Sequence, residues 1–96
     1  MSTILTFERF TVDGSAFRFL RPYTIRVAQD SEGIFSAEDE RLNICAYGET
    51  LEDLAEMIRD GLASMWGWVV EEEEKNLTPH ARTVRRNLLA RLVKEN

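Results

Sequence analysis

Ninety-six residues, 44% of them apolar and 30% charged, are enough for one hydrophobic core and too few for two, and no stretch approaches the roughly 20 apolar residues of a membrane helix. One cysteine, Cys45, and one histidine, His80, exclude an internal disulfide and a structural Cys/His zinc cluster. The net charge of −5 is uneven, with residues 1–29 at +2, 30–76 at −11 and 77–96 at +4; the acidic middle repels nucleic-acid phosphates and suits a basic protein partner, while the basic tail can pair with that acidic surface or touch nucleic acid.

The opening MSTILTFERF has no basic region before an apolar run, so it does not read as a secretion signal, and a cytoplasmic protein is expected. Leu5 to Val12 alternate loosely, with Phe10 and Val12 on one face, and Asp13-Gly14 supplies the positive φ of a hairpin turn. Phe17 to Leu20 reads as the returning strand, ended by Pro22. Tyr23, Ile25 and Val27 then alternate with Thr24, Arg26 and Ala28 as in a half-buried strand. Asp30-Ser31-Glu32-Gly33 reads as a tight turn, Ile34 to Ala37 as a short strand and Glu38-Asp39-Glu40 as a polar connection. Leu42, Ile44 and Ala46 form a further alternating set. Turns this short require antiparallel neighbours.

At Gly48 the period changes. Thr50-Leu51-Glu52-Asp53 has the form of a capping box, in which the Thr50 hydroxyl accepts from the Asp53 N–H. Leu51, Leu54, Ala55, Ile58, Leu62, Trp66 and Val69 recur at helical spacing, a stripe suited to roofing a sheet. Met57, Gly61 and Trp68 follow a neighbouring line, so Trp68 is expected to be buried as well, either by the C-terminal helix or by a second subunit or partner. The helix is expected to fray into Glu71 to Glu74, acids that disfavour a helix C-terminus. Thr78 as N-cap and Pro79 at the first position open a second helix carried to residue 95, striped by Ala81, Val84, Leu88, Leu89, Leu92 and Val93. The prediction is one α+β domain over residues 1–96: an antiparallel sheet of four to five strands covered by an amphipathic helix, with the core in residues 23–75 and a basic C-terminal helix at 78–95.

The segments YTIRVAQDSEGIFSA, LNICAY and GETLEDLAEMIRDGLASMW follow the order of an alternating strand, an acidic-Gly turn, an aromatic strand, a third strand and a Gly-x-Thr-x-x-Asp helix entry. In that order and spacing, residues 23–66 resemble the HicB antitoxin family. Two features depart from the family pattern. Glu40-Arg41-Leu42-Asn43-Ile44 stands where the family has a Pro-x-Leu-Pro-Gly element, and one helix follows Pro79 where relatives often carry a helix-turn-helix or ribbon-helix-helix region. The resemblance implies a partial ribonuclease-H-like or ferredoxin-like module without catalytic carboxylates, which binds and blocks a small basic ribonuclease toxin and forms a dimer.

The residues themselves favour binding over catalysis. His80 reads as a surface or capping histidine, Cys45 as a small packed thiol within its strand, and no group has the neighbours that tune an acid, base or nucleophile. No cofactor, metal or membrane is expected. The candidate partner-binding residues are Glu38, Asp39, Glu40, Met57, Trp68, Glu71, Glu72 and Glu73. Arg82, Arg85, Arg86 and Arg91 are candidates for an oligomer or nucleic-acid contact. A stand-alone homo-oligomeric scaffold and a nucleic-acid-binding regulator remain as alternatives.

Overall fold

A computed structural model describes residues 3–95. Its five strands and two helices form an α+β fold: β1 (Thr3–Val12), β2 (Ser15–Gln29), β3 (Phe35–Asp39), β4 (Ile44–Gly48), α1 (Leu51–Met65), α2 (Pro79–Leu89) and β5 (Leu92–Lys94). The strand order is β1-β2-β3-β4, with β5 added against β2, and every pairing is antiparallel.

The turns follow from local chemistry. Asp13 and Gly14, at φ 49° and 82°, make the two-residue hairpin between Val12 and Ser15. At the next turn the Asp30 carboxylate accepts from the N–H groups of Glu32 (2.8 Å) and Ile34 (2.9 Å), and Gly33 takes the positive φ of 88°. A single 3₁₀ turn, Glu40–Leu42, joins β3 to β4. The acids Glu38 and Asp39 therefore belong to β3, and only Glu40 lies in the connection.

Pro22 does not end the second strand, contrary to the expectation from sequence. β2 runs through it for 15 residues, because the β1–β2 ladder is broken at that point. Phe7 pairs with Tyr23 and Arg9 with Arg18, so β2 residues 19–22 stand opposite the single residue Glu8, where no ladder N–H is required of proline. The break also changes the alternation of β1. Phe7 and Phe10 are both buried, and Glu8 and Arg9 between them are both exposed. On its other edge β2 pairs Phe17–Phe19 with β5 and Ala28–Gln29 with β3.

One face of the sheet supplies Phe7, Phe10, Phe17, Phe19, Tyr23, Ile25, Val27, Ala37, Ile44 and Ala46 to the core, and α1 covers it with Leu54, Ala55, Ile58, Leu62 and then Trp66. Aromatic rings run across the hairpin, with Phe10 stacked on Phe17 at 5.2 Å, Phe19 on Tyr23 at 5.0 Å, and Trp66 meeting Phe17 edge-on at 5.8 Å. The entry to α1 is as the sequence predicts, with Asp53 N–H donating to the Thr50 hydroxyl at 3.0 Å. A Cβ on Gly48 would lie 2.5 Å from the Leu54 nitrogen, so glycine is what lets the end of β4 abut the first helical turn.

Both helices end earlier than their apolar patterns suggest. α1 gives way at Trp66–Val70 to a wider π-type turn, in which Glu71 N–H reaches the Trp66 carbonyl at 3.2 Å. α2 keeps its predicted start, with Ala81 N–H on the Thr78 hydroxyl at 3.1 Å and Pro79 first, but it stops at Leu89 instead of running to residue 95. The chain then turns into β5, whose Leu92 is 1% exposed and pairs with Phe19. This satisfies backbone groups on the second edge of β2: Leu20 N–H bonds Arg91 O, and Glu95 N–H bonds Ala16 O, both at 2.8 Å. An apolar stripe marks Leu92 and Val93 for burial without distinguishing a last helical turn from a short strand.

Candidate interaction surface

The sequence candidates fall in three places. At the end of β3, Asp39 is committed to structure. It accepts from the Tyr23 hydroxyl at 2.7 Å, from Arg41 Nη2 at 2.9 Å, from the Arg41 backbone at 3.0 Å and from Arg41 Nε at 3.1 Å. Partial burial pushes its carboxyl up, but the bonds from Arg41 and Tyr23 outweigh this and hold it below the usual carboxylate range. Tyr23 is pushed above its ordinary value, first by burial and then by donating to Asp39. Asp39 is thus a brace between β2 and β3, with no free carboxylate to offer a partner. Glu38 is exposed opposite Cys45 in the β3–β4 ladder.

Cys45 does not pack into the core. It is exposed on the uncovered face of the sheet, its thiol 3.7 Å from the Tyr47 hydroxyl, because Ile44 and Ala46 take the two inward positions of this short strand. The Tyr47 hydroxyl is pushed up by this contact with Cys45.

The second place is the outer side of α1. Met57 is 49% exposed and Trp68 is 72% exposed, so α2 does not cover Trp68, and the expected burial within the chain is not found. α2 instead packs Val84 and Leu88 into the main core and hydrogen-bonds Asn87 Nδ2 to the Arg41 carbonyl at 2.9 Å. Asp53, Glu56, Met57, Asp60, Gly61 and Ser64 line a shallow cleft of about 450 Å³. Among the described residues three carboxylates border it and no basic side chain does. Met57 also reaches β4, its sulfur accepting from Tyr47 N–H at 3.4 Å. The acids of this cleft were missing from the sequence candidates, although their positions at 53, 56 and 60 put them on one helix side with Met57.

The acids after Trp68 are partly engaged within the chain. Lys94 Nζ lies 3.1 Å from Glu71, Lys75 lies 3.2 Å from Glu73, and Glu72 accepts from Asn76 at 3.1 Å and from the Glu73 N–H at 2.8 Å. The Asn76 contact, and then the Glu73 N–H, hold the Glu72 carboxyl down. The acids are all exposed, and only Lys94 among their partners is half-buried, so the pairs are weak and open to exchange with a partner's cations.

The third place, the arginines of α2 with Arg91 just beyond it, is less available than the sequence suggests. Arg82 donates to the Glu74 carbonyl at 3.4 Å and Arg91 to the Asn87 carbonyl at 2.9 Å. Arg85 is half-buried, with its Nε shielded and without an acceptor. Arg86 is exposed, as is His80.

Among the described residues no group of three or more His, Cys, Asp or Glu side chains is placed to hold a metal ion, and no helix is long and apolar enough to cross a membrane. No protein-family model matches the sequence, and no curated protein or solved structure matches it either.

Proposed function

We propose that this chain is a non-catalytic, cytoplasmic binding module of HicB-like type that occludes a small basic ribonuclease toxin, docking it on the outer side of α1. The observation that carries this reading is Trp68, 72% exposed, beyond a cleft bordered by Asp53, Glu56 and Asp60. A large exposed aromatic is the residue type most enriched at interface anchors, and carboxylates around an apolar floor select a basic, partly apolar surface. The order of the sequence segments over residues 23–66 and the Gly48-Glu49-Thr50 helix entry carry the resemblance to antitoxins that supports this reading.

The test is titration with a small basic protein encoded beside this chain, and the absence of any such protein removes the reading. Binding should suppress that protein's ribonuclease activity at a fixed stoichiometry and weaken at least tenfold on Trp68→Ala, whereas Arg86→Glu should leave it unchanged. Suppression indifferent to Trp68, or no suppression, removes the reading. Salt-dependent binding of duplex DNA that is lost on Arg86→Glu would replace it with the nucleic-acid regulator.

A further inference from the structure

The edge strand β1 has a symmetry that nothing in the isolated chain uses. Its central sequence Thr6-Phe7-Glu8-Arg9-Phe10-Thr11 reads as a chemical palindrome about the Glu8–Arg9 bond: threonine matches threonine, phenylalanine matches phenylalanine, and an acid matches a base. The burial pattern has the same centre. Leu5 and Val12 are half-buried, Thr6 and Thr11 exposed, Phe7 and Phe10 buried, and Glu8 and Arg9 exposed. In an unbroken strand, neighbours such as Glu8 and Arg9 would point to opposite faces and this symmetry could not exist. It exists because the ladder with β2 breaks between Phe7 and Arg9.

We infer that β1 pairs antiparallel with β1 of a second copy of this chain, in the register that sets Glu8 opposite the partner's Arg9, making a two-fold dimer with one continuous sheet. A two-fold interface requires a surface complementary to itself, so that each contact occurs twice, and this register meets the requirement at every position from Leu5 to Val12. Phe7 meets Phe10 on the buried face, Thr6 meets Thr11 on the open face, and two Glu–Arg pairs form at the centre. Shifting by one residue in either direction brings Glu8 onto Glu8 or Arg9 onto Arg9 and breaks the match of faces.

The charge state of the strand agrees with this. Glu8 has no ion-pair partner among the described residues, and Arg9 has only a 3.9 Å contact to Glu95, which also serves Arg18 at 3.4 Å. β1 pairs on one side only and exposes ten residues of edge backbone, of the kind that recruits another strand. Of the other strands paired on one side, β5 has three residues, and β4 is half as long as β1, with Met57 occupying its Tyr47 N–H.

Sedimentation of charge-reversed chains tests the proposal. The wild type should dimerise. Glu8→Arg and Arg9→Glu alone should each raise the dissociation constant about tenfold or more, since each reversal acts twice. Mixing the two variants should restore dimers, because every central pair is then opposite in sign, and both changes in one chain should do the same. A wild type that is monomeric at its highest soluble concentration, or a dimer indifferent to these reversals, overturns the proposal; in the first case Glu8 and Arg9 serve to repel edge pairing. If the reversed chains fail to fold, cysteine pairs decide. In a Cys45→Ser background, Thr6→Cys with Thr11→Cys should oxidise to a covalent dimer and Thr6→Cys alone should not; the opposite result overturns the register.

Discussion

On the inner side of α1, Leu54, Ile58 and Leu62 are no more than 1% exposed, whereas on its outer side Met57 is 49% exposed and Trp68, in the turn that follows, 72%. Both sides carry large apolar residues at helical spacing, and hydropathy alone does not rank one above the other. They differ in what stands opposite. The inner side meets an aromatic-rich sheet face, while the apolar residues that follow Pro79 are drawn away from the outer side: Val84 and Leu88 into the main core, Leu92 into a strand beside β2.

Removing an inner residue should break the comparison most visibly. Ile58→Ala should cost about 3 kcal/mol, the transfer term plus an unfilled cavity beneath the helix, read as a lower urea midpoint at unchanged slope. A loss under about 1 kcal/mol would mean the helix rests loosely on the sheet.

A smaller effect is expected at the Tyr23–Asp39 brace, which ties β2 to β3. Tyr23→Phe should cost about 1.5 kcal/mol at neutral pH, a hydrogen bond to a charged acceptor. The two groups set opposite pH limits. Asp39 is held below its ordinary value, so its contribution is present above about pH 4 and is lost as acid protonates it in the fold. Tyr23 is raised, so its contribution is present below about pH 10 and declines above that as the unfolded chain ionises first. Urea midpoints across both limbs should show the alkaline decline shrink in Tyr23→Phe and the acid decline persist, weakened, through Arg41. An unchanged alkaline limb would place the tyrosine outside the brace.

Next in size is the helix start. Thr50→Ala should cost about 1 kcal/mol by freeing the Asp53 N–H, and no measurable change in thermal midpoint would show that packing of the inner stripe alone fixes the entry.

The parts of the fold that were legible in sequence are those written in local chemistry. Asp13-Gly14, Asp30 to Gly33, Thr50 with Asp53, and Thr78-Pro79 each carry their own donors, acceptors or φ preference, and each forms where its residues predict. What was not legible depends on distant partners. Pro22 stays within a strand because Glu8 leaves room opposite it. Leu92 and Val93 leave the helix because β2 has an open edge. The same division holds at the surface. The helix spacing marks Trp68 and Met57, but only the fold reveals that Trp68 stays largely exposed and Met57 half-exposed, that Asp39 is tied to Tyr23, and that Cys45 faces outward.

The smallest stability effect belongs to Trp68, and it gives the comparison its functional edge. A side chain exposed on nearly three-quarters of its surface buries little apolar area, so Trp68→Ala should move folding stability by no more than about 0.5 kcal/mol in either direction. The same truncation at an interface anchor commonly costs about 2 kcal/mol or more of binding energy. Measuring both on one variant separates the roles: unchanged unfolding with weakened partner binding marks a surface kept apolar for contact. A loss of stability comparable to that of Ile58→Ala would instead place the indole in the chain's own core and leave the outer side of α1 without its anchor.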